Sequence, residues 1–313
     1  MSGLVHALCR ARDDEDLAGR LSAAVLDALA AGGTVATLLR PVTEVALRGR
    51  VAGALGADAV AGLLRLRRDS GPDGPSGQTV AGLLARDVRE RVRRGDGPVT
   101  VVVEYSADLD DPRGAYWGEV EAAVALALAD LPVHLHCFFP DRLPAPVAEV
   151  VRRAHPWVRD ADGSLSPGEP ADPRRLLDDV PAAVPAELGA PAVAFRFDAA
   201  RLREVRRAVG EALRGQGFPG SRAEDVTVAV NEVATNAVHH GSRTAELMLW
   251  TPEHDVVCEI HDGGRLADPL PGLATPDPGR AHGRGMWIAR QLCDLLHVWR
   301  DDTGTHVRIR AAA

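Results

Sequence analysis

A stretch rich in proline and aspartate, residues 162–191, divides the sequence into two parts with different patterns. Proline removes a backbone donor and disfavours helix at the preceding residue, so we predict a linker here with at most one short helical turn, at Arg174 to Asp179. With 313 residues, the chain has room for two domains of ordinary size. We therefore expect domains over residues 1–161 and 192–313. The prolines of the predicted linker are Pro167, Pro170, Pro173, Pro181, Pro185 and Pro191.

The part before the linker alternates helical and strand patterns, which is typical of an α/β domain with a mainly parallel sheet. The apolar spacing predicts helices over Asp13–Ala31, Val42–Leu55, Thr79–Arg94, Tyr116–Ala129 and Pro146–Ala154. Short apolar runs predict strands over Thr34–Leu39, Val60–Leu66, Val99–Tyr105 and Val133–Phe139.

The part after the linker has a different order, which predicts an α+β sandwich with helices on one side of an antiparallel sheet. We predict helices over Ala200–Gln216, from a capping box at Ser221 and Glu224, and from Met286, with Leu295 on the inner face of the last helix. We predict strands over Val193–Phe197, Ala245–Thr251, Val256–Asp262 and His306–Arg310.

Composition and charge exclude several classes of function. The formal net charge of −8 argues against non-specific binding to nucleic acid or an anionic membrane. Every cationic residue is arginine, so neither a catalytic lysine nor the lysine of a phosphate-binding loop exists. The sequence also shows neither a signal peptide nor an apolar run of the roughly 20 residues that a membrane span needs, so we expect a cytoplasmic protein.

The cysteines are spaced too widely to form a C-x-x-C pair. We therefore expect buried thiols in a reducing compartment and no zinc or redox site. The cysteines are Cys9, Cys137, Cys258 and Cys293.

Glu232 and Asn236 lie late in the second helix of the C-terminal part, one turn apart on the same face. A carboxylate and an amide oxygen in this arrangement suit a hydrated Mg²⁺ next to nucleotide phosphates. The alternative is an ordinary solvated helix face. The apolar face of this helix is predicted at Val226, Val230, Val233 and Ala237.

Two glycine-containing segments provide further candidate binding residues. A predicted strand ends at Asp262 and is followed by Gly263 and Gly264. One interpretation is a hairpin turn. The other is a ligand site in which a buried Asp262 carboxylate accepts a hydrogen bond from the exocyclic amine of adenine, and glycine lets the backbone approach the base. Gly283 and Gly285 precede a helix whose first N–H groups suit a phosphate, although a structural loop fits equally well. Thr305 enters the last strand with a hydroxyl that suits the base or a water on Asp262.

Together, these segments resemble the N, G1 and G2 boxes of the GHKL (Bergerat, HATPase_c) ATP-binding superfamily, over about residues 194–310. The match is best for its anti-sigma factor and serine/threonine kinase branch, whose E-x-x-x-N-A-x-x-H-G pattern is present from Glu232 to Gly241. The resemblance implies a Bergerat sandwich that binds ATP and Mg²⁺, with Glu232 as catalytic base and Glu232 and Asn236 at the metal. The cofactor-binding residues it implies are Asn236, His240, Asp262, Gly264, Arg265, Gly283, Arg284, Gly285, Met286 and Thr305.

One departure from this pattern concerns the G1 box, where Arg265 and Leu266 follow Gly264 and the second glycine is missing. Arg265 either neutralises phosphate or narrows the pocket. The proline-containing loop from Leu266 to His282 is predicted to be a lid that is mobile until nucleotide binds.

The first part of the chain is similar to MEDS sensory domains over residues 4–158, which implies a degenerate RecA-like fold and an unknown small ligand. The resemblance rests on His6, Trp117 with Glu119, Cys137-Phe138 and His155-Pro156. Without a phosphate-binding loop, we expect no ATP hydrolysis in this half.

Three functions follow as hypotheses. The first is a cytoplasmic regulator whose sensory domain controls an ATP-binding domain that sequesters a sigma factor or phosphorylates an antagonist protein; a homodimer is left open. The second is a partner-switch module that binds ATP without catalysis. The third, a histidine kinase, is disfavoured because residues 162–191 are too short and proline-rich for a phosphoacceptor hairpin.

Overall fold

The computed structural model describes residues 3–66, 76–95, 98–107, 115–178, 180, 182–277, 279 and 283–313. The chain forms two compact units. Unit 1 comprises Met1–Asp69 and Leu84–Pro181, and unit 2 comprises Ser70–Leu83 and Ala182–Ala313. Within the described residues, no helix combines the length and the apolar composition that a membrane crossing requires.

Unit 1 is built on a seven-stranded sheet in the order β3-β2-β4-β5-β1-β6-β7. All neighbouring strands run parallel except the last pair, β6 and β7. The α/β class with a mainly parallel sheet is therefore confirmed. The strands are β1 Val5–Ala11, β2 Thr34–Leu38, β3 Leu64–Arg65, β4 Val99–Glu104, β5 Val133–Pro140, β6 Trp157–Arg159 and β7 Leu165–Pro167.

The helices of this half of the chain differ in how much of their surface is buried. α5 is buried on nearly all sides, which requires the apolar composition it has. α1 instead buries one stripe that includes Leu17, Leu21 and Val25, as its spacing predicts. The helices are α1 Asp14–Ala30, α2 Pro41–Leu55, α3 Ala57–Ala61, α4 Gly77–Arg94, α5 Ala115–Ala127, α6 Ala145–Ala154 and α7 Pro173–Leu176.

Two features of unit 1 differ from the sequence predictions. The first two residues of the predicted strand Val60–Leu66 instead end helix α3, Ala57–Ala61, because this alanine-rich segment favours helix, and Leu64–Arg65 pairs as a strand. Strand β1 was not predicted, because His6 and Arg10 interrupt its apolar run, yet it lies between β5 and β6. All four cysteines are free and buried, as expected.

Unit 2 contains a five-stranded antiparallel sheet in the order β11-β12-β10-β9-β8. Its core joins α8, α9 and α10 to alternate residues of the strands, such as Cys258 and Ile260. The α+β class is therefore confirmed for this unit. The strands are β8 Val193–Asp198, β9 Thr244–Trp250, β10 Asp255–Asp262, β11 Leu295–Asp301 and β12 Gly304–Ala312. The helices are α8 Leu202–Gly215, preceded by a 3-10 turn over Ala199–Arg201, α9 Gly220–His240 and α10 Gly285–Leu292.

Two predictions for unit 2 are wrong. The capping box at Ser221 and Glu224 does not form, because α9 begins one residue earlier and Pro219 occupies its N-cap without a side-chain bond. Leu295 does not belong to α10, since Cys293 has an extended backbone and Leu295 opens strand β11 against β12. The apolar face of α9 is confirmed, because Val226, Val230, Val233 and Ala237 are all buried.

The predicted linker, residues 162–191, contains β7 and the four-residue helix α7 in unit 1. Asp179 and Pro181 lie outside the described residues. Further along, backbone carbonyls bond to the sheet of unit 2. Ala183 O accepts from His297 at 2.7 Å, Ala186 O from Arg308 at 2.7 Å and Gly189 O from Trp250 at 3.1 Å.

The buried guanidinium of Arg290, on α10, connects three separate segments of unit 2 by hydrogen bonds. Its guanidinium donates to Pro271 O at 2.8 Å, to Leu296 O at 2.9 Å and to Gln78 Oε1 at 2.8 Å. Gln78 also bonds both backbone groups of Val298 on edge strand β11. The fork geometry of arginine is suited to several acceptors at once.

We predict that Arg290→Lys lowers the free energy of unfolding by about 2–4 kcal/mol, because an ammonium cannot reach all three acceptors and leaves buried carbonyls unpaired. Urea unfolding followed by tryptophan fluorescence measures the change. Arg207→Lys is the control, since Arg207 is exposed and pairs with Glu211 at the surface. Equal effects of the two substitutions would contradict this account of Arg290.

Candidate functional site

A cleft of about 390 Å³, open to solvent, lies in unit 2 beside the end of α9. The end of β10, the start of β12 and the start of α10 complete its walls. Its surface is mainly apolar, with a few polar groups. The lining residues are Val233, Asn236, Ala237, His240, Gly241, Ile260, Asp262, Gly264, Leu266, Met286, Thr305 and Val307.

Asp262 is the acidic group of this cleft, at the last position of β10. Its side chain is buried, with Oδ1 accepting a hydrogen bond from Gly264 N at 2.7 Å. No other donor among the described residues bonds to this carboxylate, so its second oxygen accepts no hydrogen bond from this part of the chain. Burial raises the pKa of Asp262, an effect that the bond from Gly264 opposes.

The Asp262 carboxylate has room because two neighbouring residues are glycines without side chains. A Cβ on Gly241 would collide with Asp262 Oδ1 and with Ala237 O. A Cβ on Gly264 would lie 2.7 Å from the same carboxylate oxygen and 2.7 Å from Gly241 Cα. The backbones at the end of α9 and after β10 therefore approach the acid as closely as only glycine permits.

Thr305 holds the loop that follows Asp262. It lies opposite Asp262 in the antiparallel pairing of β12 with β10. Its hydroxyl donates to Gly264 O at 2.9 Å and accepts from Leu266 N at 3.2 Å. Arg300 adds a bond to Leu266 O at 2.9 Å. The hydroxyl predicted to reach a base or a water is thus engaged in positioning residues 264–266.

Asn236 and Glu232 project from the same helix but to different surroundings. Asn236 lines the cleft, as predicted. Glu232 does not line it; instead its carboxylate lies at the start of α10, where a Cβ on Gly285 would be 2.5 Å from Glu232 Oε2. Both residues are half-buried, and each side chain carries an oxygen atom of the kind that Mg²⁺ prefers as a ligand.

The start of α10 presents the predicted phosphate-binding residues. Gly285 is the first helical residue, and Arg284 holds the N-cap position without a side-chain capping bond. Gly283 has a φ of 90°, a conformation that favours glycine. Met286 lines the cleft, whereas Gly283 and Arg284 are exposed and do not. His282 lies outside the described residues.

Part of the predicted lid is packed rather than lying free over the cleft. Leu270 and Leu273 are buried, and a Cβ on Gly272 would lie 2.5 Å from the Met286 backbone. Residues 270–273 are thus packed against the start of α10 in this structure, and the mobility of the segment without nucleotide stays a prediction. Of the rest, Pro278 and residues 280–282 lie outside the described residues.

The structure brings together in one cleft six of the eleven predicted site residues and adds residues that the sequence analysis left out. His240 lines the cleft, but Arg265 is exposed and does not. Gly241 is the clearest omission; its place directly after His240 in the N-box pattern is the signal that identifies it. Ile260, Leu266 and Val307 form apolar walls that only the fold reveals. The predicted residues in the cleft are Asn236, His240, Asp262, Gly264, Met286 and Thr305.

Residues 195–311 match the family model described as histidine kinase-like ATPase domain. This match supports the resemblance of this region to the GHKL superfamily. A solved structure similar to part of the chain comprises the RsbU and RsbW domains of Rv1364c from Mycobacterium tuberculosis, at 20% identity and a TM-score of 0.27. The alignment covers 39% of this chain and 33% of that one, so it spans about a third of that protein. Among curated proteins, no sequence matches.

We predict that Gly241→Ala destabilises the protein by about 1–3 kcal/mol, because the methyl group overlaps Asp262 Oδ1 and Ala237 O and forces the backbone apart. Thermal or urea unfolding measures the loss. Gly220→Ala, at the start of α9, is the control because its added methyl meets no atom within 4 Å. If both variants are as stable as the unaltered chain, the close contact between Gly241 and the Asp262 carboxylate does not restrict this position.

Proposed function

We propose that residues 192–313 form a Bergerat-type domain that binds Mg-ATP and acts as an anti-sigma-factor-type serine/threonine kinase. The observation that carries the proposal is Asp262, a buried carboxylate with one oxygen left for a ligand in a cleft with apolar walls. A flat heterocycle fits between such walls, and the amine of adenine supplies the donor that the free oxygen needs.

The same acid accounts for selection of adenine over guanine. Guanine places a carbonyl where adenine carries its amine, so two acceptors would face each other. Leaving a charged acceptor unpaired in a partly buried site costs about 1–3 kcal/mol or more. Thr305 supports the selection indirectly, because its two hydrogen bonds fix the loop that carries Gly264 next to Asp262.

The phosphates and Mg²⁺ are assigned to the start of α10, next to the cleft. The uncapped start of α10 suits an anion, with Gly283, Arg284 and Gly285 beside it. Asn236 and Glu232 would hold Mg²⁺, which neutralises phosphate charge when bound. Glu232 would also orient and deprotonate the hydroxyl of a protein substrate. His240 and Met286 contact the nucleotide from the cleft wall, and exposed Arg265 attracts its phosphates.

The regulatory part of the proposal assigns unit 1 a sensory role. The MEDS-like residues, the α/β sheet and the absence of a lysine for a phosphate-binding loop support a domain that senses a small ligand and does not hydrolyse ATP. The partner would be a sigma factor, an antagonist protein, or both, and the setting the cytoplasm. This assignment follows from resemblance rather than from a contact in the structure.

A second candidate function is a partner switch that binds ATP without transferring phosphate. The position of Glu232 favours it, because this carboxylate lies against Gly285 and does not line the cleft. A histidine kinase finds no support: within the described part of residues 162–191 the helical structure is the four-residue α7, which cannot form a phosphoacceptor hairpin.

We predict that Asp262→Asn weakens Mg-ATP binding by about tenfold or more. The amide replaces one carboxylate oxygen by an NH2 group, which would face a second donor, either Gly264 N or the amine of adenine, and it lacks the charge. Isothermal titration calorimetry measures the affinity. Asp225→Asn, at an exposed position of α9, serves as the control. Equal affinities of Asp262→Asn and the unaltered chain would show that this acid does not bind the base.

We predict that Glu232→Gln retains ATP binding within a few-fold but lowers phosphoryl transfer to a serine or threonine of the partner by about 10²–10⁴-fold, because the base is lost. Labelled Mg-ATP with candidate antagonist proteins measures the transfer. Glu224→Gln, an exposed carboxylate on the same helix, is the control. An unaltered chain that binds ATP but labels no partner favours the non-catalytic switch, and label on a histidine of the chain itself refutes both.

A further inference from the structure

A second cluster of chemically active side chains lies in unit 1, apart from the residues assigned to ATP. It consists of His6, Glu121, Cys137 and His155, each almost completely buried. One nitrogen, sulfur or oxygen atom from each residue lies within 4.8 Å of the corresponding atoms of the others. The residues are far apart in sequence, so only the fold brings them together.

Four structural elements converge to build this cluster. His6 lies on β1 opposite Leu135 of β5, so it shares a face of the sheet with Cys137, two residues further along β5. Glu121 projects from α5, which is buried on nearly all sides. His155 directly follows the last residue of α6.

The distances within the cluster match the edges of a metal coordination shell. Glu121 Oε2 lies 3.0 Å from His6 Nε2 and 3.3 Å from His155 Nε2. Cys137 Sγ lies 3.4 Å from His6 Nε2. Tetrahedral zinc with bonds of about 2.0–2.3 Å places its ligand atoms about 3.3–3.7 Å apart. Three of the six ligand-atom distances are therefore within a few tenths of an ångström of these edges, and none of the other three exceeds 4.8 Å.

The hydrogen bonds of His155 leave a lone pair directed at the cluster. Nδ1 lies 2.7 Å from Val151 O, and because a carbonyl can only accept, Nδ1 carries the proton. Nε2 is then unprotonated and faces Glu121. A backbone acceptor on the outer nitrogen is the usual way in which a protein orients a metal-binding imidazole.

Glu121 lacks the donors that a buried carboxylate requires. Apart from the weak S–H donor of Cys137, neither oxygen has a hydrogen-bond partner among the described residues, and neither does His155 Nε2. A carboxylate facing an imidazole lone pair in a dry interior is unfavourable. A cation between them would satisfy both groups at once.

The charges of the cluster balance those of a divalent ion. Without an ion, burial raises the pKa of Glu121 and of Cys137 and lowers the pKa of His6 to about 3 and of His155 to about 4. The groups then favour their neutral forms. With a divalent cation, a carboxylate, a thiolate and two neutral imidazoles give a site without net charge, which removes the cost of burying each ion alone.

We propose that His6, Glu121, Cys137 and His155 bind one Zn²⁺ ion. Thiolate and imidazole ligands favour zinc over Mg²⁺ or Ca²⁺, which prefer oxygen donors. The proposal departs from the sequence-based expectation of no zinc site, which considered only closely spaced cysteine pairs. It is independent of the proposed ATP binding, since all four residues belong to unit 1.

The test uses the full chain, stripped with a chelator and then titrated with Zn²⁺. Mass spectrometry of the dialysed protein should find about one zinc ion per chain. We expect Cys137→Ser and Glu121→Gln each to weaken zinc binding at least tenfold. Cys9→Ser is the matched control, because Cys9 is an equally buried thiol on β1 outside the cluster and its loss should leave zinc bound.

Cobalt provides a second readout that does not depend on whether the variants fold. Co²⁺ bound to the unaltered chain should give a thiolate-to-cobalt charge-transfer band and the strong visible bands of tetrahedral coordination. The proposal is overturned if the unaltered chain binds neither metal, if the cobalt spectrum lacks the thiolate band, or if Cys9→Ser abolishes binding while Cys137→Ser does not.

Discussion

The site in unit 2 depends on one constraint, the burial of the Asp262 carboxylate between two stretches of backbone. Gly241 ends α9 and Gly264 follows β10, and a side chain at either position would occupy the space of this carboxylate. The position of this carboxylate therefore requires glycine both at the end of α9 and after β10. Because an unpaired buried carboxylate is costly, the bond from Gly264 N lowers the free-energy cost of this position, and the proposed adenine amine would lower it further.

Unit 2 uses its other buried polar groups to hold the elements around this acid. Thr305 ties the loop after Asp262 to strand β12, and Arg290 ties Pro271 to β11 and to Gln78. These bonds join residues of the protein itself, so the cleft walls are held together by the chain's own hydrogen bonds. Walls held in this way lower the ordering entropy that the binding of a ligand must overcome. Glu232, in contrast, lies outside the cleft lining. The proposed adenine binding and the proposed catalysis therefore depend on different side chains.

The sequence predicted the parts of the fold and site that local patterns determine. The apolar stripe of α9 and the Glu232–Asn236 spacing follow from helix periodicity, and the Asp-Gly-Gly turn marks a strand end. Elements that depend on pairing with a distant strand were not predictable from local patterns. His6 and Arg10 interrupt the apolar pattern of β1, and Leu295 fits the helical spacing of α10 although it pairs with β12 as part of β11. The cluster of His6, Glu121, Cys137 and His155 depends on strand register and helix placement, which no spacing in the sequence encodes. The domain boundaries at residues 161 and 192 remain predictions.

The central claim is that Asp262 makes this cleft selective for adenine nucleotides. Calorimetric titration of the full chain with Mg-ATP and with Mg-GTP, under identical conditions, tests it most directly. The account predicts one binding site for Mg-ATP and an affinity for Mg-GTP that is lower by about tenfold or more, because guanine leaves the carboxylate without its donor. Equal affinities for the two nucleotides, or no binding of Mg-ATP, would contradict it.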